Sequence, residues 1–497
     1  MNDAIGVFFW VFLVIYGIGM FVISPKAKNG AQFFRGKDRH GRDVRPFVLT
    51  ASIFVSWIMA KSVTNCINLG AQYGLVGGVA YAAYWLAIPL AGLVIYRLRK
   101  TFGIRSIVGF LTTNYGRAAA AAFSLAILIR LFNEIWSNSS VVAGYYGAPE
   151  SLAFIVSAVL FTLIALAYSI KGGMRSSLFT DAVQFIMFLM VMFFLLFLVL
   201  PGRPLGEYLG SGVWSLETGV DLLLVTCLQI FSYPFHDPVL TDRAFISKIG
   251  SMLKVYIVSG IIGFAAILLF SLIGIDATLS GMALTGNMPV QIAQAMGGAG
   301  YIAIALIMIL AAGSTLDSTF TSLAKLAARD MPLLRQKDFG EKARRIGIVV
   351  MFLFAILGNI PMVLGTNVLL ATTISGTMVM GMGPVFCLYG LVKPTKLGFH
   401  LSFWIGIGFG IAHTLGLTAA LAIGTGPSAA LLGANLYGLI LCTLGYLLPG
   451  LLAGARDGQW RQKLPRAGDY TEEDYSDFEG AQEPGPALQP RTPELSG

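Results

Sequence analysis

Residues 311–325 read AAGSTLDSTFTSLAK and close an apolar run that begins near residue 299. A segment in that position is expected to lie in lipid, yet it carries hydroxyl after hydroxyl, a carboxylate at Asp317 and an ammonium group at Lys325. Ser314, Asp317, Ser318, Thr321 and Lys325 fall at i, i+3, i+4, i+7 and i+11, which on a helix makes one continuous stripe. Thr315, Thr319 and Ser322 widen it. Taken singly, a Ser or Thr in a membrane helix bonds back to the carbonyl four residues earlier or ties two helices together. A stripe that includes an acid, whose insertion at the bilayer midplane costs roughly 2.5–3.5 kcal/mol, needs a further reason. Hydroxyl, carboxylate and carbonyl oxygens together are the ligands of a hard cation.

The rest of the chain agrees that lipid is the solvent. Of 497 residues 56% are hydrophobic and 12% charged, a composition that a water-soluble globule does not have. Windows of roughly 20 apolar residues, enough to cross a hydrocarbon core of about 30 Å, predict thirteen helical spans. They lie near 4–24, 46–70, 75–97, 117–143, 151–170, 177–200, 217–237, 252–275, 299–326, 346–365, 367–392, 399–424 and 430–454. Barrel strands would be shorter and alternating. MNDAIG supplies no basic region before the first span, which also outlasts a secretory core of about 7–15 residues, so that span is expected to be retained.

Lys and Arg crowd alternate loops, among them Lys26 to Arg45, Arg97 to Arg105, Arg243 with Lys248, and Arg329 to Arg345. The opposite set holds little beyond Arg203, which predicts an external N-terminus and a cytoplasmic C-terminus in the plasma (inner) membrane. The net charge of +9 is thereby a topology signal and not a sign of nucleic-acid binding. Cys66, Cys227, Cys387 and Cys442 lie inside spans without metal-site spacing. From residue 464 the chain turns acidic and rich in Pro and Gly, as a disordered cytoplasmic tail would be.

Other polar residues sit where lipid should exclude them. Asp181 opens the span that runs to Leu200, and Arg130 and Glu134 lie four apart on one face, either a self-neutralising pair or part of a substrate site. Lys61 is mid-span, followed by Ser62, Thr64, Asn65 and Asn68, so this helix reads as lining a cavity and partly unwound. Pro234 and Pro238 interrupt a later span beside Gln229, Tyr233, His236 and Asp237. Two interrupted helices in corresponding halves point to the binding site of a secondary transporter.

KGGMRSSLFTDAVQ, AAGSTLDSTFTSL, FFRGKDRHG and YPFHDPVLTDRAF together resemble the solute:sodium symporter family over most of residues 1–400. The resemblance implies an all-α polytopic protein with the leucine-transporter (LeuT) inverted-repeat fold: an extra N-terminal helix and basic loop over 1–45, five-helix repeats over 46–200 and 201–398, two accessory helices over 399–463 and the tail over 464–497. It implies a first sodium ion held by backbone carbonyls of Val55, Ile58 and Ala311 and hydroxyls of Ser314 and Thr315. A second sodium would use Asp181, Asp317 and Ser318 together with Ser314. Substrate positions carried over in the same way are Ser56, Trp57, Lys61, Ser62, Tyr81, Arg130, Glu134 and Tyr233, with the Thr372 to Thr377 region.

The expected activity is sodium-coupled symport of a small polar organic solute, a carboxylate or amino acid, by alternating access. Sodium is the coupling ion, no other cofactor is implied, and the partners are substrate, sodium and the bilayer. AQYGLVGGVAYAAYW is similar to urea-transporting members and keeps urea or a small amide open. Lys61 departs from the small or neutral residue usual at its position, which leaves a sodium-independent or proton-coupled transporter as an alternative; a symporter-like sensor is another. No loop supplies a Ser, His and Asp constellation, and His40, His236, His400 and His413 are dispersed, so an enzyme is not expected.

Overall fold

The computed structural model describes residues 3–38, 40–283, 288–331, 342–363 and 375–465. The principal helices are α1 (Asp3–Ile23), α2 (Pro46–Trp57), α3 (Ala60–Tyr73), α4 (Leu75–Phe102), α5 (Arg117–Ala143), α6 (Leu152–Gly172) and α7 (Met174–Val199). They continue with α8 (Val220–Gln229), α9 (Pro238–Ile246), α10 (Ile249–Leu279), α11 (Gly297–Lys325), α12 (Lys342–Leu357), α13 (Lys396–Thr414) and α14 (Ala429–Arg456). No strand of a sheet occurs among the described residues.

Eight of these helices are long and apolar enough to span a bilayer, and α2 with α3, bent by 58° at their junction, make a ninth. Among the described residues that is fewer than the thirteen spans expected. The 217–237 window is the ten-residue α8, a turn at Tyr233–His236 and α9, because Pro234 and Pro238 withhold the amides that a continuous helix needs. The 346–365 window breaks after Leu357 and resumes briefly at Ile360–Val363, and the helix of the 399–424 window ends at Thr414. Of the 367–392 window, residues 367–374 lie outside the described residues and the remainder is broken, with a short helix over Met382–Cys387; nearly all of the acidic tail also lies outside them.

Burial sorts the helices into centre and periphery. In α11, 83% of the apolar window is buried inside the protein, against 22% in α14. On α1, Phe9, Leu13, Tyr16 and Met20 face inward while Val7, Val11, Ile18 and Val22 are exposed, the pattern of a helix with one side against protein and the other toward acyl chains. Helix α11 packs on α7, α5, α6 and α2, so its hydroxyl stripe meets other helices.

Two glycines permit this packing. Gly173, at φ 57°, joins α6 to α7, and a Cβ there would fall 2.3 Å from the Phe33 carbonyl oxygen. Gly313 lets α11 approach α1, where a Cβ would fall 2.1 Å from the Tyr16 hydroxyl.

Candidate functional site

Helix α2 ends at Trp57 although residues 55–62 contain neither Pro nor Gly. At the break Ile58 adopts φ −82°, ψ 58° and Met59 φ −55°, ψ 150°, both outside the helical region. The Ser62 amide bonds to the Met59 carbonyl at 2.9 Å and not to Ile58, and no bond joins the Met59 amide to Val55. The carbonyls of Val55 and Ile58 are thereby released from the helical ladder, as a cation site requires. Across from them on α11, the Thr315 hydroxyl donates to Ala311 O at 2.9 Å and lies 3.3 Å from Ser56 O. Hydroxyls and freed carbonyls of the first sodium set thus lie on two elements that pack together.

One helical turn further along, a buried polar cluster draws on four helices. Asp181 of α7 accepts hydrogen bonds from Ser52 at 2.5 Å and Ser56 at 3.3 Å on α2, and from Ser314 of α11. Asp317 accepts from Ser177 at 2.8 Å, Thr180 at 2.7 Å and Ser318 at 3.2 Å. The expected second-sodium residues, Asp181, Asp317 and Ser318, are therefore assembled. A cation is already among them: Arg243 of α9, fully buried, donates through Nη2 to Asp181 Oδ2 at 3.1 Å and Ser318 Oγ at 2.6 Å, and through Nε to Ser52 Oγ at 2.6 Å.

This corrects one sequence expectation. Arg243, expected in a cytoplasmic loop, is an internal residue, because the chain after Pro238 is a helix that docks against α2 and α11. Ser56, expected among the substrate residues, lies 2.9 Å from Ser318 Oγ and 3.3 Å from Asp181; a step of one residue along a helix turns the side chain by about 100°, so Ser56 and Trp57 face different neighbours. Lys325, the end of the stripe, also leaves the cluster: it pairs with Asp242 at 2.6 Å and Asp330 at 3.1 Å.

The second assembly surrounds the break on its other side. Lys61 Nζ lies 2.8 Å from Glu134 Oε1, which is also 3.1 Å from Arg130 Nη1. Arg130 continues to Asp237 Oδ2 at 2.7 Å and to the Tyr233 hydroxyl at 2.9 Å, with its guanidinium 4.9 Å from that ring. Trp57 Nε1 donates to the same Asp237 oxygen at 2.7 Å, a tie that holds the broken α2 end to the second interrupted segment. Lys61, Glu134, Arg130 and Asp237 give two cations and two anions, all buried. Removing one partner of such a set would strand a charge, whereas the balanced set is tolerated.

Trp57, Met59, Lys61, Ser62, Tyr81, Tyr84, Trp85 and Tyr233 line a cavity of about 30 Å³, roughly the share of one liquid water. Trp57, Lys61, Ser62, Tyr81 and Tyr233 of the expected substrate set meet here, with Arg130 and Glu134 directly behind. Tyr81 is held by Asn65 at 3.1 Å, and Tyr84 by Gln229 at 2.6 Å. Thr372 lies outside the described residues; Thr377 sits behind Gln229, 3.3 Å from its amide nitrogen. Sequence reasoning named Asp237 only as a neighbour of the prolines and passed over Ser52, Ser177 and Thr180. The one available signal was their spacing, Ser52 four before Ser56 and Ser177 four before Asp181.

No protein-family model matches the chain. Among curated proteins it is 25% identical over 248 residues to sodium/glucose cotransporter 4 of Danio rerio, covering 48% of this chain and 36% of that protein. It is 22% identical over 260 residues to the urea active transporter of Saccharomyces cerevisiae, covering 47% and 35%. The matched segments span about a third of those relatives. Among solved structures, a Na+-coupled sialic acid symporter in a substrate-bound outward-open state superposes with a TM-score of 0.62 at 14% identity, over 94% of this chain and 98% of the other. The chain has the LeuT-type symporter fold. Mhp1, a nucleobase-cation-symport-1 transporter in a closed conformation, agrees at a TM-score of 0.57 and 15% identity, over 91% and 99%. Remote homology to solute:sodium symporters and this LeuT-type fold accord with the resemblance carried by the motifs; these relatives are transporters, not enzymes.

Proposed function

We propose that this LeuT-type protein is a secondary active transporter that couples inward sodium movement to uptake of a small polar organic solute, with a carboxylate or an amino acid as the favoured class. The observation that carries the reading is the broken α2–α3 helix, whose freed Val55 and Ile58 carbonyls belong to the element that packs on Ala311, Ser314 and Thr315. Five oxygens of those kinds replace the hydration shell of an alkali ion without soft or redox chemistry.

Sodium enters with about 2.3 kcal/mol per 100 mV of membrane potential and about 1.4 kcal/mol per tenfold gradient. That energy reaches the substrate only if ion and solute favour the same conformation. Ion ligands on α2 and substrate ligands on α2 and α3 share one hinge at Ile58–Met59, which gives the coupling a physical path. The cavity of about 30 Å³ is far below the roughly 300 Å³ at which small-molecule sites begin. Substrate entry therefore requires the hinge or its partners to move.

For substrate class, Lys61 supports a carboxylate: its ammonium group has three donors and hydrogen-bonds Glu134, and Arg130 Nε is buried without a partner. A substrate carboxylate would supply acceptors to these donors; an amino acid would add an ammonium group for Glu134. The proposal includes two five-helix repeats over 46–200 and 201–398, an external N-terminus and a plasma-membrane location. The alternative in which Lys61 replaces the ion is less favoured, since Lys61 Nζ engages Glu134 beside the aromatic cavity, whereas Thr315 faces Ser56 and Ala311.

Uptake into proteoliposomes under an inward sodium gradient, against an equal potassium gradient, tests the reading with labelled monocarboxylates, amino acids, urea and sugars. Accumulation of one compound only under sodium is the expected result. Uptake that ignores sodium and collapses with the pH gradient would transfer the coupling role to a proton.

A further inference from the structure

We propose that Arg243 is a tethered cation that occupies the place of a second coupling sodium beside Asp181. The inference rests on the symport reading and concerns its stoichiometry.

Two oxygens at the centre of the expected second-ion set, Asp181 Oδ2 and Ser318 Oγ, already face a cation. Asp181 Oδ2 receives Nη2 of Arg243 at 3.1 Å, Ser318 Oγ receives the same nitrogen at 2.6 Å, Ser56 Oγ lies 3.2 Å from it, and Ser52 Oγ receives Nε at 2.6 Å. A free monovalent cation on these atoms would sit within a few ångströms of a guanidinium and share its one paired carboxylate, so the two cations exclude each other.

The fold presents Arg243 to this point. Its Nη1 donates back to Val239 O at 2.6 Å, one turn earlier on α9, and Asp237, the residue before α9, caps that helix by accepting the Val239 amide at 3.0 Å. The side chain is fully buried, with its head on α2, α7 and α11. A guanidinium stays protonated throughout the accessible pH range. Its charge therefore neither enters nor leaves during a cycle and draws no energy from a gradient.

Arg243 donates to none of Ala311, Ser314 and Thr315, which leaves the first sodium set outside its reach, and Ser314, bonded to Asp181, links the two places. Asp317 is supplied by the hydroxyls of Ser177, Thr180 and Ser318, dipoles that hold a carboxylate without adding charge.

Sodium itself is the probe: equilibrium binding of radioactive sodium to the full chain in lipid nanodiscs. The wild type is expected to bind one sodium per chain without cooperativity, and Thr315→Ala to weaken that binding about tenfold. Arg243→Gln should admit a second sodium, and adding Asp181→Asn to it should abolish that gain. Two sodium ions per wild-type chain, one of them lost in Asp181→Asn, would overturn the proposal while leaving symport intact. No sodium bound by the wild type would instead overturn the symport reading, and the inference with it. Should Arg243→Gln fail to fold, the wild-type count and the Asp181→Asn count still decide.

Discussion

The two buried assemblies on either side of the α2–α3 break solve the same problem differently. Around Asp181 and Asp317, one guanidinium and a shell of hydroxyls from α2, α7 and α11 surround two carboxylates. Around Trp57, four formal charges pair off with each other against a wall of aromatic rings, Trp57 with Trp85 at 5.7 Å and Tyr84 with Tyr233 at 5.7 Å. Hydroxyls rotate and can be donor or acceptor, so an ion can arrive or leave without stranding a charge. Fixed ion pairs have no such freedom: breaking one in low dielectric is costly unless a substrate group replaces the lost partner. The first assembly suits a small mobile ion, the second a solute that brings its own polar groups.

The largest expected effect breaks the second assembly. Glu134→Ala strands Lys61 and removes one partner of Arg130, and should destabilise the protein by about 3–5 kcal/mol, read as a lowered thermal midpoint in detergent. Lys61→Met combined with Glu134→Gln should recover part of that loss, because it removes the uncompensated charge along with its partner. If the double variant proves no better than the single, the balanced-charge account is wrong.

Next comes packing beside the first assembly. Gly313→Ala forces a methyl group against the Tyr16 hydroxyl and should cost about 1–3 kcal/mol. Adding Tyr16→Phe removes the clashing oxygen and should return part of it, measured by the same melts.

Smaller in energy but sharper in meaning is Thr315→Ala. Loss of one hydroxyl ligand should raise the sodium concentration for half-maximal uptake by roughly tenfold, about 1.4 kcal/mol, with little change in the melting midpoint. An unchanged sodium dependence would detach Thr315 from the ion.

The smallest effect lies outside the membrane. Asp38 accepts the amides of Arg42 at 2.9 Å and His40 at 2.7 Å and pairs with Arg42 Nε at 2.7 Å, and these bonds, the Arg42 amide first, lower its pKa to about 2. A depressed carboxylate contributes stability above its unfolded pKa and loses it as pH falls through the folded value. The hydrogen bonds of Asp38 with His40 and Arg42 should therefore hold unchanged from neutral pH to about pH 4 and loosen only on approach to pH 2, followed by the amide signals of His40 and Arg42.

Much of this was legible in the chain itself. The limits of 117–143 and the approximate reach of 4–24, 151–170 and 430–454 follow from apolar length alone, because lipid tolerates only a self-bonded backbone over that distance. The stripe on α11 could be read from spacing, since helical periodicity places Ser314, Asp317 and Ser318 on one face. The interruption at Pro234 and Pro238 could be read from covalent structure, proline having no amide hydrogen to give.

The break at Ile58 was only half legible. A run of polar residues after Lys61 signalled a cavity, but nothing in SWIMAKS is a helix breaker. The chain turns there because Trp57 is tied to Asp237 and Lys61 to Glu134, partners more than 70 residues away in sequence. Arg243 is the clearest case of what sequence withheld: beside Asp242 and near Lys248 it has the composition of a basic loop. Its place at Asp181 depends on how α9 docks.

The sequence by itself determined that this is a polytopic helical membrane protein with an oxygen-rich helix at its centre, because hydrophobic length and helical period are local properties. Only the tertiary structure decided which charges neutralise which, because a buried ion takes its partner from whatever element the fold brings within about 3–4 Å.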